Sequence, residues 1–560
     1  GMMDVSRAAR LKKAIGLVGS GALIAGFTML PLAAASATAG ASGSGTSVTA
    51  TALVIVDQGA PTVYLTTGSR LTRVEGLSDE ASVGRIATGD KVTANLQVVS
   101  SPKEAGSSRV AVARGGVATR VLRPGINSND LALGTTEAHK LTVIRATYPQ
   151  ANLDGSPTPP AAPSLARIAI AVANADGYWN QASDGRIRFS TVVTKDNQAL
   201  STTPCSPDLQ AIYEVGIRAG WTPSPLNHLV VVAPTVPMNP PAVPGTTPPP
   251  CPQYGGFASM GSARGSGGVV FLNGDAALPE GTNGDTGWTL AHELGHNMAL
   301  GHANEVNCFD PQKIVAINAT PDACRAQEYF GMYSVMATFT QDAAGFRAPG
   351  LTGHHLEQLG LLDANSVTDV TNQETDVRSV TLTPSGTRAG KRVARVEGMD
   401  GDTYYFEYRS PIGLDQPLLG TVSPPLPSGV LVWKTFRQPQ GTAFYSGSDL
   451  TGSPLTVDHR SDYLLDANPR NPVSDPNLFN KEAPSASGFD GDPLLPLGEP
   501  VALGDLTVRL TEVNPNVDAT LEVQFPSNGL RPAPKAPSAP QLVSAAFTNN
   551  TTAKFTWSAH

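Results

Sequence analysis

Charge is scarce in this chain: only 15% of its 560 residues are charged, and the formal balance is −8. Without a surplus of Lys and Arg there is no electrostatic footprint for a phosphate backbone, so nucleic acid is excluded as a partner. Cysteine is scarcer still, at four residues: Cys205, Cys251, Cys308 and Cys324. No C-x-x-C spacing occurs among them, which sets aside a cysteine-held zinc cluster. Beyond the N-terminal stretch there is no apolar run long enough to span a bilayer, so no stable membrane span is expected in the mature chain. What the chain does have is 56 glycines and 47 prolines, a loop-rich composition, and 40% hydrophobic residues, enough to fill ordinary cores. Its length implies three to four domains.

Residues 1–39 read as a secretory signal peptide. Arg7, Arg10, Lys12 and Lys13 form a basic start, an apolar Gly/Ala-rich run follows from Ala14 to Leu32, and Ala35-Ser36-Ala37 and Ala37-Thr38-Ala39 are small-x-small cleavage sites. The other reading of the run is a membrane anchor, against which Gly16, Gly19, Gly21, Gly26 and Pro31 weigh. An exported, monomeric protein, secreted or held at the cell surface, is expected. The four cysteines fit an oxidising compartment and allow three pairings, of which Cys205–Cys251 and Cys308–Cys324 close local loops.

Residues 40–48 read as a linker that opens an N-terminal β-domain over 40–140. Its alternating segments include Thr51–Val56, Lys91–Val99 and Arg109–Ala113. From Leu141 strands alternate with helical patterns: strands at 141–146, 187–193, 229–233 and 268–272, and helices near 165–175 and 208–219. Pro234–Pro252 must be loop. After Leu362 the helical period fades, and 366–525 reads as a C-terminal β-rich domain with strands near 379–383, 403–408, 429–433 and 506–510. A Pro/Ala-rich linker, 526–541, leads to 542–560, which resembles the start of a fibronectin type III module and reads as a truncated one.

His292-Glu293-Leu294-Gly295-His296 matches H-E-x-x-H, with His302 following. Composition alone predicts about 0.012 such matches in a chain with 9 histidines and 47 acids, so chance does not explain it. Residues four apart share a helical face, so His292 and His296 can point at one ion, while Leu290, Leu294 and Met298 form the opposite, apolar stripe. Three histidines and an open position are the ligand set of one catalytic Zn2+. Such a metal lowers the pKa of its water towards ~7, and Glu293 is placed to take the proton as general base.

The ten-residue step from His292 to His302 is that of H-E-x-x-H-x-x-G-x-x-H, and Tyr333-Ser334-Val335-Met336-Ala337 matches a Met-turn with Met336 in its structural role. With Tyr329–Ala337 and Gly353–Leu362, the stretch His292–Ala303 resembles the gametolysin family of metzincin peptidases. The likeness is specific over about 225–365 and looser over Tyr404–Arg409. It implies an α/β (α+β) metzincin-type catalytic domain over 141–365, flanked by β-rich domains in a multidomain chain. It also implies a secreted zinc endopeptidase acting on extracellular protein or glycoprotein substrates, with zinc on His292, His296 and His302. The motif's glycine is Ala299 here, a tolerated variation whose turn Gly301 would partly absorb. Thr338 stands where some metzincins place a zinc-binding Tyr, so that fifth ligand is missing.

The remaining histidines are read as structural or solvent-facing: His139 and His459 in loops, His228 ahead of a strand, and His354 and His355 too divergent at helical pitch to serve one ion. Asp490-Gly491-Asp492 is either a Ca2+ site or an ordinary turn. The 40–140 domain is either a propeptide, cut within Arg120–Asn129 and blocking the cleft without a cysteine, or a permanent docking module. The rival function is a surface adhesion or matrix-binding protein that uses the same scaffold with little activity.

Overall fold

The computed structural model describes residues 45–55, 61–77, 86–100, 108–113, 136–148, 162–201, 209–234, 255–274, 287–310, 313–315, 324–337, 341–342, 345–346, 348–370, 377–387, 389–398, 402–416, 426–435, 460–468, 493–526, 541–549 and 552–558. The expected signal segment 1–39, Cys205, Cys251, the Pro234–Pro252 loop beyond its first residue, Arg120–Asn129, Thr338, His459, Asp490–Asp492 and nearly all of the expected 526–541 linker lie outside them. No helix among the described residues is long and apolar enough to cross a membrane.

Period-two alternation builds the N-terminal unit. Strands β1 (Thr46–Ile55), β2 (Thr62–Thr67), β3 (Arg70–Glu75), β4 (Lys91–Ser100) and β5 (Arg109–Ala113) close into a barrel in the order β1-β2-β3-β5-β4. Ala50, Ala52, Val54, Val63, Leu65, Val74, Val92 and Ala94 fill its interior. Leu53 and Leu71 face outwards and pack on the next unit. The expected 40–48 linker therefore already contains the start of a strand.

That next unit is a five-stranded sheet of order β7-β6-β8-β10-β9, made of β6 (Glu137–Thr147), β7 (Ile187–Ala199), β8 (Asn227–Ala233), β9 (Gly256–Ala258) and β10 (Gly268–Asn273). All pairings are parallel except that of the edge strand β9. Both faces are covered, which explains near-continuous apolar strands such as Leu229–Ala233. Val230 and Val232 meet helices α1 (Leu165–Ala182) and α3 (Trp288–Asn297) on one side. Leu229, Val231 and Ala233 meet α2 (Leu209–Arg218) and the barrel on the other.

The sheet architecture also crosses the boundary expected at 365. Strands β11 (Ala303–Asp310), β12 (Lys313–Val315) and β13 (Cys324–Gln327) follow the motif helix, and β14 (Gln341–Asp342) pairs with β15 (Gly345–Phe346). After helix α4 (Gly353–Gln358) come β16 (Val367–Val370), β17 (Val377–Leu382), β18 (Val393–Glu397), β19 (Thr403–Arg409), β20 (Gly429–Thr435), β21 (Asp462–Leu465), β22 (Pro500–Leu503), β23 (Leu506–Asn514) and β24 (Asp518–Gln524). One sheet runs β12-β11-β21-β20-β19-β18-β16, with β13 also on β11, so strands from both sides of residue 365 share it. Its Phe406, Val430 and Val432 face the second sheet, β17-β24-β23-β22. Its Tyr405, Leu431, Trp433 and Leu464 face the core beneath α3. The β11–β13 register sets Cys308 directly opposite Cys324. Strands β25 (Gln541–Asn549) and β26 (Thr552–Ser558) form a separate antiparallel pair.

Candidate metal centre

Helix α3 presents the motif because its glycines admit close neighbours. A Cβ on Gly287 would meet the α1 backbone at Ala175 N at 2.9 Å, and one on Gly295 would lie 2.5 Å from Met336 Sδ. Met336 is fully buried under the helix, and its carbonyl accepts a hydrogen bond from Ala303 N at 2.8 Å. The opposite stripe, Leu290, Leu294 and Met298, is buried in the same core.

The helix ends in a two-bond reversal: Leu300 N donates to Gly295 O and Ala299 N to His296 O, both at 3.0 Å. This is the Schellman arrangement, whose pivotal residue is left-handed. Ala299 holds that place with φ 78°. Gly301 does not absorb the turn, since its φ is not positive. It is needed because Ser461 Oγ and the Arg460 carbonyl carbon would lie 2.5 and 2.7 Å from a Cβ there. Gly301 N donates to Arg460 O and Asp462 N to His302 O, both at 2.9 Å, so the C-terminal sheet fixes the third histidine.

The structure brings His292, His296 and His302 together. The Nε2 atoms of His292 and His296 are 3.1 Å apart, and those of His296 and His302 are 3.0 Å apart. Each Nδ1 is anchored to an acceptor: His292 to Val335 O at 2.8 Å, His296 to Leu300 O at 2.7 Å and His302 to Glu328 Oε1 at 2.6 Å. A carbonyl or carboxylate can only accept, so Nδ1 carries the hydrogen and Nε2 is left as a lone pair. Burial, reinforced by the neighbouring His302, pushes His292 down to about 3. The same causes, with His292 added, push His296 well below its ordinary value. The Nε2 atoms of all three rings therefore converge, those of His292 and His296 as lone pairs on neutral rings. A tetrahedral zinc at ~2.0–2.1 Å from each nitrogen would need N···N separations of roughly 3.3–3.4 Å, so the donor set fits that ion with a small expansion.

Glu293 is buried on the same helix, and a Cβ on edge-strand Gly256 would lie 3.2 Å from its Oε1. Tyr329, at φ 68°, lays its ring on His302 with centroids 4.0 Å apart. Tyr329 enters the sequence reading only as the first residue of the Tyr329–Ala337 stretch, and Glu328 not at all, because an acid 26 residues after His302 has no periodic relation to it. Two other expectations change. His139 is not in a loop: it lies in β6, fully buried, with its Nδ1 2.8 Å from His228 Nε2. His228 Nδ1 in turn donates to Asn297 Oδ1 at 2.9 Å, next to His296 of the triad. His354 and His355 are not divergent either, since both face Asp462. Compared with models of known protein families and with curated proteins, the chain matches none.

Proposed function

We propose that this protein is an exported zinc endopeptidase that cleaves extracellular proteins or glycoproteins. The observation that carries the reading is the convergence of three buried, Nδ1-anchored histidines beside a buried glutamate. Zinc bound there would supply Lewis acidity to a carbonyl and a lowered pKa to water. His292 and His296 are held neutral and need lose no proton to bind metal. The Val335 and Leu300 carbonyls and the Glu328 carboxylate fix each ring's tautomer and aim. Glu293 serves as general base, taking the proton of the attacking water and passing it to the leaving amine, a role worth about 10²–10⁴-fold. Gly256, lacking a side chain, leaves room for that carboxylate at the sheet edge. A bridge between Cys308 and Cys324, which are register partners across β11 and β13, belongs to the same proposal of export.

The test is incubation of the purified chain with a denatured protein mixture, with and without a zinc chelator, followed by mapping of new termini. Internal cuts that vanish on chelation are expected. Intact substrate with zinc-loaded protein would favour the adhesive role over the enzymatic one.

A further inference from the structure

The geometry points to a second zinc site, separate from the histidine triad, formed by His354, His355 and Asp462 where α4 meets the start of β21. Their ligand atoms lie within 4.8 Å of one another, and all three residues are largely or wholly buried. Thr352, the N-cap of α4, donates its hydroxyl to Asp462 Oδ2 while accepting His355 N at 3.1 Å. The carboxylate is thus held between two consecutive imidazoles in the first turn. His354 Nδ1 is bonded to Asp462 Oδ1, and His355 Nδ1 stands 3.3 Å from Oδ2.

Hydrogen-bond counting makes this arrangement incomplete without a cation. His355 Nε2 faces the Arg460 carbonyl at 3.3 Å, an acceptor, so that nitrogen carries the hydrogen. In the neutral ring Nδ1 is then a lone pair directed at a carboxylate oxygen, and it makes no hydrogen bond. Both groups are fully buried. Two acceptors facing each other out of water are unfavourable unless a proton or a metal lies between them. One outer partner resembles those of the triad, the backbone carbonyl on the distal nitrogen of His355, and a hydroxyl holds the carboxylate. Two imidazoles and one carboxylate form an N2O donor set suited to zinc. A metal here would tie α4 to the segment whose Asp462 N–H holds the His302 carbonyl.

The experiment is titration of the metal-free full chain with Co2+, read by visible absorption, and with Zn2+, read by metal analysis after dialysis. Wild type is expected to bind two equivalents. His354→Gln should bind one, and so should His292→Ala/His296→Ala. A wild type that binds a single equivalent, lost in the triad variant and kept in His354→Gln, overturns the second site and leaves an imidazolium–carboxylate pair in its place. A single equivalent lost in His354→Gln but kept in the triad variant would support this site and sink the proposed function instead. Should His354→Gln fail to fold, the triad variant decides: an equivalent still bound by His292→Ala/His296→Ala supports the second site, and none bound there refutes it.

Discussion

Replacing Ala299 by glycine should stabilise the protein, and replacing Gly301 by alanine should damage it, although both residues flank the same turn. Ala299 sits at φ 78°, where a side chain costs about 1–2 kcal/mol. Glycine removes that strain but loses more freedom on folding, about 0.4–1 kcal/mol. The net gain for Ala299→Gly is therefore about 0.5–1 kcal/mol. Gly301 is not strained, but a Cβ there would lie 2.7 Å from both the Arg460 carbonyl carbon and Ser461 N, which are backbone and cannot swing aside. Overpacking of this kind costs about 1–3 kcal/mol. Because Gly301 precedes His302, the strain falls on a proposed ligand. Urea midpoints of the metal-free chain, with zinc affinity measured alongside, check both. Ala299→Gly should raise the midpoint and leave affinity unchanged; Gly301→Ala should lower both. Loss of stability in Ala299→Gly, or an unaffected Gly301→Ala, would refute the division of roles.

Glu328→Gln keeps the shape but weakens the hold on His302 Nδ1, and zinc affinity should fall about 10–100-fold in competition with a chelator. An unchanged affinity would remove Glu328 from the site. The barrel should behave as a permanent module. Met260 is buried in its interior, Met260 N donates to Val54 O, and Thr88 N donates to Met260 O, while the adjacent Gly261 N holds the His296 carbonyl. A chain starting at residue 136 should thus be less stable and less active than the full chain, and higher activity would restore the propeptide reading. Acid should destabilise the fold through His228, which burial pushes down to about 3 against 6.5 in the unfolded chain. The unfolded chain takes up that proton first, so stability should fall between pH 6.5 and 3 by about 1.4 kcal/mol per unit, or roughly 2 kcal/mol by pH 5. Urea midpoints at pH 7 and 5 measure it, and a flat profile would contradict the assignment.

The site was more legible in the sequence than its support. His292, His296 and His302 are bound by helical pitch and a fixed step, and local rules reach that far. Their Nδ1 partners include the Val335 carbonyl and Glu328, brought in by chain reversals that leave no periodic trace. The same limit hid the Asp462 cluster: His354 and His355 diverge on any isolated helix, and only a residue more than a hundred positions away gives them a common target. Strands such as Leu229–Ala233 were readable because apolar runs between turns are distinctive. The short β2 and β3, the edge strand β9, and the membership of β11–β13 in the C-terminal sheet were not, since pairing partners are set by tertiary contact. The placement of His139 in a loop fails for a related reason: a buried polar residue looks like a surface one until its partner, here His228, is known.

The central claim is tested most directly by comparing zinc-loaded wild type with zinc-loaded Glu293→Gln on one denatured protein substrate, scoring internal cleavage. The account predicts cleavage by wild type and a loss of at least about 10²-fold in the variant at unchanged metal content. Equal cleavage by the two proteins, or none by wild type, would contradict it.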